Sequence, residues 1–243
     1  MKDRIIHELE HGKKIKESAE DIWGWGTPSG KVRAERRADL IVSTAKIKKT
    51  DYCLEIGCGS GLFTEKVFNK TNARIMAIDL SPDLLELARK KQLPSDFVEF
   101  REENAMQLSF KDETFDVVYG SSVIHHLEME QALKEIYRVL KKGGRIVFAE
   151  PNMLNPQIFI QKNVPYIKEK MGDSPDETAI VRWKLKKQMQ KIGYKNVNIF
   201  PYDFLHPITP KPCINFVLKL SLILEKIPLV KEIAGSVIIY GEK

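Results

Sequence analysis

Three glycines at alternate positions form the clearest chemical pattern in the sequence. Gly57, Gly59 and Gly61 lie in LEIGCGSGLF, where a short apolar run gives way to a helix-forming segment. Glycine at such a turn lets a ligand approach backbone N–H groups that a side chain would shield. A nicotinamide-binding fingerprint, G-x-G-x-x-G, would need a glycine at position 62, where the sequence has Leu62. The spacing therefore predicts a ligand-binding loop and disfavours a dehydrogenase.

A carboxylate follows the glycine loop at a distance typical of adenosine-binding sites. Asp79 ends the run RIMAID, 22 residues after Gly57. A carboxylate at the carboxyl end of a strand can accept hydrogen bonds from both ribose hydroxyls. The alternative is that Asp79 caps the next helix, but Ser81 lies nearer to the expected start of that helix. We therefore expect Asp79 to bind a ribose.

Two adjacent histidines offer acid–base chemistry. His125 and His126 lie in YGSSVIHHL, directly after an apolar run that we expect to be a strand. An imidazole titrates near neutral pH and can take a proton from a hydroxyl group. The alternative is that the rings pack beneath the following helix. The sequence leaves both roles open.

Alternating strand-type and helix-type segments must hold these residues in place. The strand-type runs are short and rich in β-branched residues, and the amphipathic segments between them have helical periodicity. The expected strands are residues 52–56, 74–79, 98–102, 116–120 and 145–150. The expected helices are residues 62–68, 82–90, 128–140 and 177–192. This order predicts an α/β fold with a doubly wound, mostly parallel sheet that helices cover on both faces.

The chain departs from this alternation at both ends. Residues 32–48 predict a helix before the first strand. Residues 197–205 and 236–240 predict two further strands, on either side of a proline-rich, apolar insertion at 206–235. Since no crossover helix is needed between them, we expect these strands to form an antiparallel pair. The expected organisation is a single domain, 1–243, with a helical extension (1–49), a ligand-binding core (50–152) and a substrate-side part (153–243).

Composition and charge exclude several classes of protein. The 243 residues carry a formal net charge of only +6, with acids and bases interleaved, so nucleic acid is not an expected partner. The three cysteines, Cys53, Cys58 and Cys213, lack metal-binding spacing, so we expect no metal site and a reducing, cytoplasmic location. The charged start of the sequence does not resemble a signal peptide, and no apolar run reaches the roughly 20 residues of a spanning helix.

Four segments together resemble the class I S-adenosylmethionine (SAM)-dependent methyltransferases, in particular the type 11 group of small-molecule enzymes. The segments are LEIGCGSG, AIDLS, REENAMQLSFKDETFDVVYGSSVIHHL and RVLKKGGRIVFAEPN, in the family's order between about residues 50 and 152. The resemblance implies a seven-stranded Rossmann-like methyltransferase sheet and SAM as the cofactor. It also implies that the protein is an enzyme that transfers a methyl group.

The resemblance further assigns parts of the cofactor to residues of this chain. The glycine loop would hold the methionine part of SAM, and Glu55 would orient the loop or the amino group of the cofactor. Asn104 stands where the family has an acid, and it would contact the adenine or, alternatively, form a turn. Outside the region of resemblance, we expect Arg33, in DIWGWGTPSGKVRAERR, to pair with the SAM carboxylate or, alternatively, to be a surface arginine. The expected cofactor-binding residues are Glu55, Gly57, Cys58, Gly59, Gly61, Asp79, Leu80, Asn104, Ala105, Met106, Ser121 and Arg33.

The same resemblance guides the choice of catalytic residues. His126 precedes a leucine, the position at which the family more often has a histidine, so it is the first candidate for a general base and His125 the second. A histidine base suits a hydroxyl, which favours O-transfer over N- or C-transfer. Transfer from a charged sulfonium requires neither a metal nor a covalent nucleophile. The alternative function is a non-catalytic SAM-binding module that acts as a partner or sensor.

Two apolar segments outside the core indicate the nature of the acceptor. The side chains that they would offer to it are Ile158, Phe159, Tyr166, Phe216, Leu220 and Leu224. We expect a small or amphiphilic acceptor, such as a lipid-linked or glycan-type hydroxyl, and peripheral contact with a membrane. The alternative is that these side chains pack onto the sheet. Cys213, in the second segment, is not at the position of a cytosine-methylating nucleophile and is expected to pack.

Overall fold

The computed structural model describes residues 2–16, 18–170, 173 and 177–243. Within these residues, seven strands and ten α-helices are present. The strands are β1 (Tyr52–Ile56), β2 (Arg74–Asp79), β3 (Val98–Glu102), β4 (Phe115–Ser121), β5 (Leu140–Pro151), β6 (Lys195–Tyr202) and β7 (Ser236–Glu242). The helices are α1 (Lys2–Ile15), α2 (Ala19–Ile22), α3 (Pro28–Ala45), α4 (Leu62–Thr71), α5 (Pro82–Arg89), α6 (Met129–Val139), α7 (Pro156–Asn163), α8 (Pro165–Lys170), α9 (Arg182–Ile192) and α10 (Ile214–Leu224).

The seven strands form one sheet in the order β3-β2-β1-β4-β5-β7-β6. The first five strands run parallel, whereas β7 is antiparallel to both β5 and β6. This confirms the predicted doubly wound, mostly parallel sheet and its antiparallel C-terminal pair. The strand order reverses between β1 and β4, and ligands of such sheets bind at this switch point, beyond the carboxyl ends of the strands.

Helices cover the sheet on both faces, as the apolar strands require. Leu133 of α6 and Met189 of α9 belong to the buried cluster on one face. Ile41 of α3 and Val67 of α4 belong to the cluster on the other face. The central strands are therefore sequestered from water on both sides, and the exposed parts of the sheet are its ends. None of the helices in the described part of the chain is long and apolar enough to cross a membrane.

Helix starts follow local capping signals. Ser81 is the N-cap of α5, where its Oγ accepts a hydrogen bond from the N–H of Leu84 at 3.4 Å. Thr27 caps α3 in the same way through the N–H of Gly30, at 2.9 Å. Because Thr27 is followed by Pro28, a favourable first helical residue, α3 begins four residues earlier than the predicted helix at 32–48.

Two predicted elements near the C-terminal part were wrong in extent. The helix predicted at 177–192 begins only at Arg182, because Ile180 forms a parallel bridge with Asn152 and keeps this part of the chain extended. The strand predicted at 197–205 ends at Tyr202, because Asp203 has a φ of +77°, which extended backbone does not allow. The insertion at 206–235 contains α10, which the sequence did not predict as a helix.

Candidate active site

A cavity of about 760 Å³ lies at the carboxyl ends of the parallel strands. The loops that follow β1, β2, β3 and β4 form its floor, and residues from α1, α3 and the segment 203–208 contribute to its walls. Most of the residues predicted to form the site line this cavity. They are Arg33, Gly57, Cys58, Gly59, Asp79, Leu80, Asn104, Ala105, Met106, Ser121, His125 and His126.

The glycine loop has a backbone that other residues adopt only with strain. The φ angles of Gly57 and Gly59 are +65° and +52°. A Cβ at position 57 would lie 2.3 Å from Cγ2 of Val123, and one at position 59 would lie 3.0 Å from Cη2 of Trp23. Because glycine occupies these positions, a ligand can approach the backbone of the loop closely at the floor of the cavity.

Asp79 ties this loop to the end of β2. Its Oδ2 accepts a hydrogen bond from the N–H of Gly59 at 2.8 Å, and its Oδ1 accepts one from the N–H of Ser81 at 2.9 Å. Burial raises the pKa of Asp79. Each carboxylate oxygen keeps a second lone pair, so the group can still accept hydrogen bonds from hydroxyls of a ligand.

Glu55 and Gly61 do not line the cavity. Glu55 is buried beneath the loop, where its Oε2 accepts a hydrogen bond from the Tyr119 hydroxyl at 3.1 Å. Burial raises the pKa of Glu55 to about 8. Of the two roles expected for Glu55, its position fits support of the loop and does not fit contact with a cofactor amino group.

The segment after β3 forms a tight turn at the cavity wall. Oδ1 of Asn104 accepts a hydrogen bond from the N–H of Met106 at 2.9 Å. The side-chain oxygen therefore stabilises the turn, which was the alternative expected for Asn104, while the residue still lines the cavity together with Ala105 and Met106. The apolar side chains of Ala105 and Met106 are buried, so this wall suits a flat, apolar ring.

Arg33 has an internal partner instead of an open carboxylate site. Its Nε donates to Oδ2 of Asp203 at 2.8 Å. The Asp203 carboxylate already balances the charge of Arg33. A cofactor carboxylate would therefore need a residue other than Arg33 as its partner. Sequence reasoning missed this pair because Arg33 and Asp203 are 170 residues apart.

Arg37, which the sequence analysis missed, is the better candidate. It lies one helical turn after Arg33, is only 3% exposed and lines the cavity. Its guanidinium donates to three hydroxyl groups, those of Ser121 (3.0 Å), Ser122 (2.8 Å) and Ser236 (2.9 Å). Among the described residues, no carboxylate lies within ion-pair distance of it. A buried cation without an anionic partner is unfavourable, so this arrangement suits an anionic group of a ligand.

His125 lies between two glutamates. It belongs to a short 3₁₀ helix, Ile124–His126, and its Nδ1 is 2.5 Å from Oε2 of Glu150 while its Nε2 is 3.3 Å from Oε1 of Glu177. Burial lowers the pKa of His125, but the two carboxylates outweigh this effect and raise the pKa to about 9. His125 therefore carries a proton at neutral pH and cannot accept another, which argues against His125 as the general base.

His126 has a different environment. Its Nδ1 is 3.2 Å from Oε1 of Glu8 in α1, and the ring lines the cavity. The ring centroids of the two histidines are 4.3 Å apart. The His125 ring is thus held in a buried ion pair with Glu150, whereas the His126 ring faces the cavity with the Glu8 carboxylate beside it. The N-terminal helix, which the sequence assigned only to an extension, contributes this carboxylate.

Most of the apolar residues expected to meet the acceptor lie elsewhere. Ile158 lines the cavity, but Phe159, Tyr166, Phe216 and Leu220 point to solvent, with 54%, 71%, 70% and 40% of their surface exposed. They neither reach the cavity nor pack onto the sheet. Cys213 is also exposed, so the expectation that it packs was wrong.

The fold and the cavity together define the class of protein. The cavity offers a glycine loop that a ligand can approach closely, the Asp79 carboxylate, an apolar wall at residues 104–106 and the Arg37 guanidinium, whose charge no described carboxylate balances. These groups fit the methionine, ribose, adenine and carboxylate parts of S-adenosylmethionine. A seven-stranded sheet with an antiparallel β7 and such a site is the architecture of a class I SAM-dependent methyltransferase.

Comparison with known proteins agrees with this class. The family model described as "Methyltransferase domain" matches residues 54–148. A demethylmenaquinone methyltransferase of Lactiplantibacillus plantarum is 31% identical over 175 residues, which cover 63% of this chain and 74% of the relative. The chain therefore belongs to the methyltransferase-domain family, within class I of the SAM-dependent methyltransferases.

Two further comparisons are more limited. An uncharacterised methyltransferase-like protein of Schizosaccharomyces pombe is 29% identical over 171 residues, which cover 70% of this chain but only 64% of the yeast protein. The crystal structure of a SAM-dependent methyltransferase from Thermotoga maritima superposes with a TM-score of 0.64 at 22% identity, over 94% of this chain and 98% of that one. At this identity the likeness confirms the fold alone.

Proposed function

We propose that this protein methylates a hydroxyl group of a small or amphiphilic acceptor, such as a lipid-linked or glycan-type molecule. One observation carries the proposal: His126, with the Glu8 carboxylate beside it, lines the same cavity as the cofactor-type residues. A proton acceptor and a methyl-donor site within one cavity are the minimum that O-methyl transfer needs.

Particular residues of the chain would hold the cofactor. The loop at residues 57–59, which glycine leaves open to close approach, would hold its methionine part, Arg37 would bind its carboxylate and Asp79 its ribose. When bound, SAM supplies a methyl group that the positive charge on sulfur has already activated. The protein is left with three tasks: to align the acceptor, to exclude water and to take the acceptor's proton.

The walls of the cavity suit the first two tasks. Trp25 packs edge-on against Phe63 with 5.4 Å between ring centroids, and Trp23 lies over the loop near Gly59. Both tryptophans line the cavity. They follow α2 and precede α3, so this connection covers the cofactor side and limits the entry of water.

The two histidines would divide the third task. His126 would accept the hydroxyl proton, and Glu8 would hold its ring and stabilise the imidazolium that forms. His125, already protonated and paired with Glu150, would act as a positioning residue that fixes the turn after β4. This division follows from the partners of each ring.

The apolar part of the cavity supports an amphiphilic acceptor. Ile15, Ile22, Phe204 and Ile208 line it in addition to the tryptophans. The Lactiplantibacillus relative is named for demethylmenaquinone, an amphiphilic compound, and this name supports the amphiphilic character of the acceptor without bearing on the atom that is methylated. A hydroxyl at the polar end of such an acceptor would meet His126, while the rest would contact the apolar wall.

The test combines cofactor binding with transfer. The purified full-length protein is titrated with SAM by calorimetry, and transfer of labelled methyl from SAM is then measured with a quinol, a prenyl alcohol and a glycolipid as acceptors. We expect SAM binding, and label in at least one hydroxyl acceptor. Binding of SAM with no transfer to any class would favour the non-catalytic module, and label on nitrogen or carbon alone would refute O-transfer.

A further inference from the structure

Helix α10 is attached to the protein by polar groups, and its apolar side chains face outward. Oγ of Ser221 accepts a hydrogen bond from the N–H of Phe204 at 2.9 Å and donates to Oε1 of Glu225 at 2.8 Å. Glu225, directly after α10, pairs with both terminal nitrogens of Arg36. Ile214 and Ser221 are the buried residues of the helix.

The outward face of α10 is almost entirely apolar. Phe216, Leu220 and Ile223 recur at the i, i+4, i+7 spacing of one helix face and are 70%, 40% and 57% exposed. Ile227 and Leu229, just beyond the helix, are 41% and 84% exposed. A contiguous apolar surface of this kind marks a binding face, because a soluble helix normally turns its polar residues to water.

The unpaired charges around this face are all positive. Lys211, Lys219 and Lys226 are exposed, and within the described residues none of them forms an ion pair. The acids of the segment 206–235 are only Glu225 and Glu232, and each is held by an arginine of another element, Arg36 and Arg182 respectively. An apolar face bordered by free lysines is complementary to a membrane with anionic headgroups.

This face also lies next to the cavity. Phe204, which binds Ser221 of α10, lines the cavity, and so does Ile208, which is 80% exposed. The chain therefore runs without interruption from the cavity wall at 204–208 to the apolar face. If the protein binds a membrane through α10, lipid molecules lie close to the mouth of the cavity.

We infer that the outward face of α10, with Ile227 and Leu229, is a docking surface for an anionic lipid membrane. Phe216, Leu220 and Ile223 enter the acyl boundary, and Lys219 and Lys226 contact the headgroups. This inference deepens the proposed function and rests on it for one point only, the delivery of an amphiphilic acceptor from the bilayer.

Co-sedimentation of the full-length protein with vesicles tests the inference. The probe is phosphatidylcholine vesicles with about one third phosphatidylglycerol, compared with vesicles of phosphatidylcholine alone. We expect binding to the anionic vesicles that weakens between about 0.1 M and about 1 M salt, where the Debye length falls from about 10 Å to about 3 Å. Equal binding to both vesicle types, or none to either, overturns the inference.

Matched variants locate the surface. F216S/I223S should reduce vesicle binding by about tenfold or more, since burial of even one such side chain is worth a factor of this size. F97S removes an exposed aromatic residue (42%) next to the start of β3, at the opposite edge of the sheet, and the variant should bind as the wild type does. K219E/K226E should weaken binding to anionic vesicles, whereas K142E, at the start of β5, should not. Equal loss with F97S or K142E contradicts the assignment.

Two further measurements separate the remaining outcomes. Sedimentation velocity without lipid shows whether the wild type is a dimer that F216S/I223S converts to a monomer, in which case the face is an interface between copies and the inference is wrong. SAM affinity, measured by calorimetry, should be the same in all four variants. Loss of vesicle binding with intact SAM binding isolates the docking surface, whereas absence of SAM binding in the wild type would refute the proposed function instead.

Discussion

Nδ1 of His125 lies 2.5 Å from Oε2 of Glu150, and the other oxygen of this carboxylate, Oε1, accepts hydrogen bonds from the N–H groups of Val123 (2.9 Å) and Ile124 (3.1 Å). One buried glutamate from β5 therefore fixes the whole turn that follows β4. Burial alone would raise the pKa of Glu150, but the charge of His125 lowers it overall. The turn that positions both histidines thus depends on one buried ion pair.

This ion pair predicts a pH dependence of stability. The pKa of His125 is raised from an ordinary value of 6.5 to about 9, so its contribution is complete below pH 6.5 and is lost as the pH rises through about 9. The pKa of Glu55 is raised to about 8, so Glu55 also makes the free energy of unfolding fall as the pH rises, but mainly below pH 8. Between pH 8 and 9, we expect the free energy of unfolding to fall by roughly 1 kcal/mol more in the wild type than in His125→Asn. Denaturant titrations at the two pH values measure this difference. An equal fall in the free energy of unfolding in the wild type and in His125→Asn would contradict the assignment.

His126→Ala should lower the rate of methyl transfer by about a hundredfold or more, because general-base catalysis typically contributes this much. SAM affinity should stay near that of the wild type. His206→Ala is the control, since His206 also lines the cavity but its Nε2 accepts a hydrogen bond from Nε2 of Gln157 at 3.0 Å. Steady-state kinetics decides: a wild-type kcat in His126→Ala would show that transfer needs no base.

Arg37→Met should weaken SAM binding by at least about tenfold, because a hydrogen bond to a charged group is worth roughly 1.5–3 kcal/mol. Arg33→Met is the matched control, since Arg33 lies on the same helix and is already paired with Asp203. Calorimetry with SAM compares the two variants. A larger loss of affinity in Arg33→Met would restore the assignment made from the sequence.

Asp79→Ala should weaken SAM binding by at least about tenfold and also lower the melting temperature, since the N–H groups of Gly59 and Ser81 lose their acceptor. Ser81→Ala provides the comparison: it removes the cap of α5 at a cost of about 1 kcal/mol but should leave SAM affinity unchanged. Unaltered SAM binding in a folded Asp79 variant would exclude Asp79 from the ribose site.

Gly59→Ala should reduce SAM binding about tenfold, because the new methyl group would lie 3.0 Å from Trp23 and would crowd the loop. Gly143→Ala has the same backbone requirement, with a φ of +74°, but nothing lies within 4 Å of its Cβ position. Both variants should therefore show a similar loss of melting temperature from backbone strain, and only Gly59→Ala should lose the stabilisation that SAM provides. Equal stabilisation by SAM in both would show that the loop does not hold the cofactor.

Local patterns in the sequence were sufficient to predict the parallel strands of the sheet and the residues at the floor of the cavity. The strands β1, β2 and β3 begin and end where predicted, because short apolar runs between turn residues specify them without reference to distant parts of the chain. The glycine loop and Asp79 follow directly from those strands. Since parallel strands bring their carboxyl ends to one edge, residues that follow different strands had to meet there.

The tertiary structure decided what each charged residue does. Arg33 and Arg37 are equivalent in sequence, and only the positions of Asp203 and Ser236 distinguish a paired cation from one that lacks a carboxylate. His125 and His126 are likewise adjacent, yet the Glu150 carboxylate keeps His125 protonated, whereas Glu8 lies beside His126. The charge state and the partner of a side chain depend on its neighbours in space, and these neighbours come from other elements: Glu150 is 25 residues from His125, whereas Glu8 and Asp203 are 118 and 170 residues from their partners. The same reason explains α10: the sequence left open whether its apolar side chains meet the acceptor or pack onto the sheet, and the polar contacts of Ser221 and Glu225 hold its apolar face outward.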